Sequence, residues 1–157
     1  MSTSIWIVVD EDGTGYRVAA PVDDTGQEIL GKMQALVRGL IEPIQGLRQV
    51  DDIIAWVNEE GALVRNPVRN ATATALAVTL GDPNAPAQTY VGPMLVTGSM
   101  SVRVLVTGSD RQNITEVPEY FENFLVGMFA IDWKTDEPIS VEECVEYMDA
   151  AREEVTA

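Results

Sequence analysis

The chain has 157 residues and a mass of 17.1 kDa, 46% of it hydrophobic residues, which suits one domain able to bury a genuine core. Twenty-five acidic residues against ten basic ones give a net charge of −15 at pH 7, so the molecule as a whole is repelled by nucleic acid and by anionic membrane surfaces. It holds no histidine and one cysteine, which excludes Ser-His-Asp and Cys-His catalysis, histidine metal sites, internal disulfides and cysteine-rich zinc sites.

The opening MSTSIWIVVDEDG lacks a basic n-region and turns acidic after a short apolar run, so it does not read as a signal peptide. No apolar stretch approaches the roughly 18 residues that a membrane span needs. Two N-x-T sequons, at Asn70 and Asn113, are chance matches in that setting. The expectation is a cytoplasmic protein that does not engage the membrane.

In chain order, Ser4–Val9 reads as a strand, DEDGTG as a turn, and the residues around Tyr16–Ala20 as a second strand, with Gly13 and Gly15 supplying permissive backbone. DEDGTG lacks the spaced oxygen ligands and closing glutamate of a calcium loop. Thr25 and Glu28 form a capping box. Behind it Ile29, Leu30, Met33, Leu36, Val37 and Leu40 fall on one face of a helix over about 25–39, with Gly39 near its end.

From Ile41 to Ser109 the runs IEPIQGL, DIIAWVN, GALV, TALAVTL, QTYVGPMLVTG and VRVLVTG read as short strands divided by glycine, proline and asparagine. LVTGS occurs at 95–99 and again at 105–109, and GDPNAPAQ at 81–88 reads as a loop. Beyond Asp110 the chain turns helical and acidic. Val117, Tyr120, Phe121, Phe124, Leu125, Met128 and Phe129 repeat at helical spacing, with Pro118 tolerated in the first turn. A last helix opens on a second capping box, Ser140 with Glu143, and carries the apolar stripe Val141, Cys144, Val145, Met148, Ala151 and Val155. Cys144 lies on that stripe with no histidine to activate it and reads as a packing residue.

The fold expected is therefore one α+β domain over 1–157. A mixed or antiparallel sheet within residues 1–109 is packed by the helix over about 25–39 and by two acidic amphipathic helices in 110–157. The surplus of aromatic residues at Tyr120, Phe121, Phe124 and Phe129 hints at a homodimer.

Charge is unevenly spread: residues 61–109 hold one acid, Asp82, and three arginines, whereas residues 110–157 hold thirteen acids and three bases. Two binding surfaces follow. Glu142, Glu146, Asp149 and Glu153 can present carboxylates to a basic protein partner, because complementary potentials steer association and select partners; a merely solvated helix face would have the same composition. Alternatively Arg65, Arg69, Asn70, Thr72 and Thr74, in RNPVRNATAT, offer guanidinium, amide and hydroxyl donors to an anionic nucleotide, although asparagine and threonine are also ordinary turn and cap residues.

No phosphate-binding glycine loop, dinucleotide fingerprint or nucleophile elbow is present. The pairs Asp51/Asp52 and Glu59/Glu60 point to opposite faces if they lie on strands, which makes a carboxylate-metal hydrolase the last-ranked reading. No cofactor, metal or catalytic residue is expected.

WVNEEG at 56–61, followed by Asn70, Ala73, Thr74 and Leu76 and then by Val91, Gly92, Leu95, Val96 and Gly98, resembles the family of unknown function DUF3846 over roughly residues 25–130. The resemblance departs where family members often carry an arginine two residues after the motif asparagine and this chain has Thr72. Members occur in bacteria and frequently in bacteriophages, so the resemblance implies a phage-type accessory or counter-defence protein acting on a host factor. It assigns no activity. Within the motif, Trp56 reads as core and Asn58–Gly61 as a turn.

Overall fold

Alternation along IWIVV sends Ile5, Ile7 and Val9 to one side and Trp6 and Val8 to the other, and all five are buried. A strand apolar on both sides belongs in the middle of a sheet covered on both faces. That is where the computed structural model, which describes residues 5–20, 26–44, 53–58, 69–80, 90–98, 117, 119–129 and 131–156, places β1 (Ile5–Val9). β2 (Thr14–Ala19) returns antiparallel to it, Val9 opposite Gly15 and Ile5 opposite Ala19. The turn between them closes through Gly13, at φ 87°, and through the Thr14 N–H, which donates to Asp12 Oδ1 at 2.9 Å.

The remaining strands are β3 (Ile41–Pro43), β4 (Ile53–Asn58), β5 (Met94–Gly98) and β6 (Asp132–Trp133). They extend the sheet to the order β3-β4-β5-β1-β2-β6, antiparallel throughout except for β2 with β6. The fold is thus α+β around a mixed sheet, with four helices among the described residues: α1 (Gly26–Val37), α2 (Ala71–Thr79), α3 (Glu119–Phe129) and α4 (Val141–Thr156).

Each sheet face has its own core. Ile7, Val9, Ala55, Val57, Met94 and Val96 meet Ala73, Leu76 and Ala77 of α2 and Phe121 and Leu125 of α3. On the other face Trp6, Val8, Tyr16, Val18, Trp56 and Leu95 meet Ile29, Met33 and Leu36 of α1 and Val141, Cys144 and Met148 of α4. Apolar burial of this kind, about 25 cal/mol per Å², drives the two helix layers onto the sheet.

TALAVTL is helical, where its β-branched residues read as a strand. Asn70 caps the segment, alanine and leucine favour helix, and Ala73, Leu76 and Ala77 recur on one face at helical spacing. Two apolar positions also differ from their expected burial: Leu40, past the end of α1, is 46% exposed, and Met128, near the end of α3, is 63% exposed. The second capping box is present as read, Ser140 Oγ accepting from the Glu143 N–H at 3.1 Å. Thr25, GALV, GDPNAPAQ, VRVLVTG and the second LVTGS lie outside the described residues.

The glycines test this packing. A Cβ on Gly15 would come within 2.4 Å of Ile131 Cγ2 and 2.9 Å of the Trp133 ring, whereas one on Gly31 of α1 would meet nothing within 4 Å. Gly15→Ala should cost about 1–3 kcal/mol through overpacking. Gly31→Ala should stabilise by about 0.5–1 kcal/mol, because a helical glycine surrenders more backbone entropy than alanine. Urea denaturation midpoints of the two variants should move in opposite directions.

Candidate functional site

Family-motif residues converge where β1 ends, β5 begins and α2 starts. Asn70 is fully buried. Its Nδ2 donates to the carbonyls of Val9 and Gly92, each at 2.9 Å, and its Oδ1 accepts from the Ala73 N–H at 2.9 Å. Both amide hydrogens and the amide oxygen are therefore engaged inside the fold. Thr74 Oγ1 donates to the Asn70 carbonyl at 2.9 Å and accepts from the Tyr90 N–H at 3.0 Å.

Of the five residues singled out as nucleotide donors, Asn70 and Thr74 thus face inward and hold backbone. Thr72 is half-buried, with its Oγ1 3.5 Å from where a Cβ on Gly13 would stand. Arg69 is exposed, and Arg65 lies outside the described residues. Of the four that are described, Asn70 and Thr74 sit together at the start of α2, with their polar groups on backbone.

Other described residues of the motif also serve packing. Trp56 is 1% exposed, and its indole N–H donates to Thr97 Oγ1 at 3.0 Å. Asn58 Nδ2 donates to the Arg38 carbonyl at 3.3 Å. Gly92 sits at φ 75°, the left-handed region that glycine enters without strain. Glu59–Gly61 lie outside the described residues.

At the same end of the sheet the β1–β2 turn carries an ionic cluster. Asp10 is 1% exposed; its Oδ1 accepts from the Glu11 N–H at 2.8 Å and from Arg152 of α4 at 3.1 Å. Arg152 also reaches Glu11 at 3.2 Å and donates to the Met148 carbonyl at 2.9 Å. Burial pushes the Asp10 and Glu11 carboxyls above their ordinary range, with the Arg152 guanidinium opposing the shift. Burial likewise holds the Cys144 thiol up at about 12, so it is protonated and unreactive at neutral pH.

The four acids expected to meet a partner all lie on α4, spaced i, i+4, i+7 and i+11, which places them along one side of the helix. Glu142, Glu146 and Glu153 are exposed, and Asp149 is half-exposed and paired with Arg38. Arg38 itself adopts φ 66° just past α1, where glycine is the usual residue.

Sequence reasoning missed a second ionic centre. Arg17 donates to Glu122 of α3 at 2.6 Å and to the Thr135 carbonyl at 3.3 Å, and stacks 4.1 Å from the centre of the Trp133 ring. Only its position, a cation on a strand otherwise apolar around it, marked it out. Among the described residues no group of three or more His, Cys, Asp and Glu side chains could hold a metal ion, and no helix is long and apolar enough to cross a membrane.

Two substitutions probe this end of the sheet. Asn70→Ala should cost about 2–4 kcal/mol in chemical denaturation, from a lost cap and two orphaned carbonyls. Arg152→Met leaves buried Asp10 and half-buried Glu11 without the guanidinium that contacts both, at a cost of about 2 kcal/mol at pH 7, less than for a fully buried pair because Arg152 is partly exposed. A carboxyl whose folded pKa is raised contributes stability below its unfolded pKa and loses it as pH rises through the folded value. The deficit of Arg152→Met relative to wild type should therefore shrink as pH falls from about 7 to about 4, as denaturation across that range will show.

Searches of curated proteins and of solved structures find no match to this chain. A family model does match, that of a domain of unknown function (DUF3846), over residues 5–129. It spans the sheet from β1 to β5 together with α1, α2 and α3, leaving β6 and α4 outside. With most of its length matched, the chain belongs to the DUF3846 family.

Proposed function

We propose that this protein is a non-enzymatic, phage-type accessory protein that binds and inhibits a host protein in the host cytoplasm, a counter-defence or host-takeover role, through the acidic outer side of α4. The observation that carries the reading is the alignment of Glu142, Glu146, Asp149 and Glu153 along one side of a helix whose other side is fixed. Cys144 and Met148 on that inner side are fully buried, and Arg152 ties the helix to the β1–β2 turn. A carboxylate row on a rigid support keeps its geometry on binding, which favours electrostatic steering of a basic partner. Asp149 pairs with Arg38 within the chain, the kind of guanidinium contact that a basic partner would make along the rest of the row.

The nucleotide-sponge reading draws less support, since Asn70 and Thr74 spend their polar groups on backbone.

The test combines Glu142→Lys, Glu146→Lys, Asp149→Asn and Glu153→Lys and measures capture of host protein from a bacterial lysate at low and high salt. The expected result is one stoichiometric partner for the wild type, released by high salt. The variant should bind it about 30-fold or more weakly, the loss of four rim contacts at about 0.5 kcal/mol each, with an unchanged far-UV circular dichroism spectrum. Undiminished capture by the folded variant overturns the reading.

A further inference from the structure

α4 is held differently along its two halves. Its first half is fixed by packing and capping: Val141, Cys144 and Met148 are buried against the sheet, and Ser140 with Glu143 caps the start. From Asp149 to Glu153 every side chain is partly or fully exposed. This end is tied down by Arg152, which reaches Asp10 at 3.1 Å and Glu11 at 3.2 Å in the β1–β2 turn, and by Asp149, which pairs with Arg38. The turn itself runs Asp10, Glu11, Asp12, and the last turn of the helix carries no base. Carboxylates in that last turn, Glu153 among them, oppose the negative end of the helix dipole.

We infer that the end of α4 is a strap over the β1–β2 turn that closes as pH falls and opens locally as pH rises, with Asp10 and Glu11 as the groups that take up the protons. Closure takes Asp10 to 1% exposure and leaves Glu11 half-buried. Within electrostatic reach of Asp10 are Glu11 and Asp12 from its own turn, the Tyr16 phenol from β2, and the Cys144 thiol and Arg152 from α4; Arg38, at the end of α1, acts on Glu11. Burial keeps Tyr16 and Cys144 protonated through the neutral range. The joint therefore sets three turn carboxylates against two guanidiniums, one of them shared with Asp149. Ionised and out of water, Asp10 is its costly member. Burial raises the Asp10 and Glu11 carboxyls above their ordinary range, whereas an open strap returns them to water. A group that holds its proton more tightly in the closed form favours closure below its open-form pKa and loses that contribution as pH rises through the closed-form value. The response is local, because a helix end with few buried contacts opens at less cost than the core. Glu142 and Glu146 stay on the anchored half, while Asp149 and Glu153 travel with the strap. This inference does not depend on α4 binding anything.

The experiment is hydrogen–deuterium exchange of the full chain at about pH 7.5 and about pH 5, corrected for the intrinsic pH dependence of exchange, with the amides of 149–153 compared to those of β1. At the higher pH the helix end should exchange through openings that leave β1 protected. At the lower pH its protection should rise at least about 3-fold. Asp10→Asn keeps the shape and removes the titration, so it should raise protection at the higher pH and flatten most of the pH dependence. Glu11→Gln, at a more exposed position, should do so in part and serves if Asp10→Asn fails to fold. Protection of 149–153 that equals that of β1 at the higher pH, or that stays level or falls at the lower pH, overturns the inference. So does a pH dependence undiminished in the folded variants, which would assign it to the acids of α4 itself.

Discussion

The side-chain amide of Asn70 is the junction on which the architecture turns. Three pieces of chain remote in sequence need polar partners at one buried point: the last carbonyl of β1, the carbonyl of Gly92 before β5, and the first turn of α2. Each backbone group left unpaired in an apolar interior costs about 1–3 kcal/mol. One planar amide with two donors and an acceptor meets all three demands at 2.9 Å. Hydroxyls and carboxylates cannot: serine and threonine have one hydrogen to give, and aspartate, when ionised, has none. Asparagine at this position is thus chemistry the fold requires, as are the left-handed glycine at 92 and the alanine-rich start of α2 beside it.

The molecule keeps its two helix layers chemically distinct. The α1/α4 layer concentrates charge, with arginines at 38 and 152 threaded among the carboxylates. The α2/α3 layer is close to uncharged on its described surface. A uniform scatter of twenty-five acids would be enough for solubility. Among the described residues the exposed carboxylates of α4 lie on one helix layer, and the described side chains of α2 and α3 on the other include few ionisable groups.

Much of this was legible in the residues. The 3.6-residue recurrence from Ile29 to Val37 gave α1, and the Ser140/Glu143 pair marked the start of α4 to the residue. Ser4–Val9, DIIAWVN and QTYVGPMLVTG read as strands, and β1, β4 and β5 lie within them. TALAVTL was not legible, because a short apolar segment carries no periodicity that separates a buried strand from a buried helix. What decided it was Asn70 acting as a cap, and its side-chain role looked like ligand binding when read without the carbonyls it serves. The Asp10–Arg152 pair joins residues 142 positions apart, and no local pattern foretells such a contact. Asp10 resembles any turn aspartate until the helix from the far end of the chain covers it. The carboxylate row on α4 was legible because it is a property of one helix alone.

The family span ends at residue 129, yet the sheet does not. Beyond it the chain pairs with β2 twice, at Asp132–Trp133 and again at Ile139, before α4 seals Trp6, Val8, Tyr16 and Val18 from water. The span that the family model matches and the sheet therefore have different boundaries. A segment that lies outside the shared span, yet without which half a sheet face stands bare, is tethered by packing while its outer side is free to diverge. The fold therefore constrains Cys144 and Met148 on the inner side of α4 tightly and the exposed Glu142 and Glu146 on its outer side hardly at all.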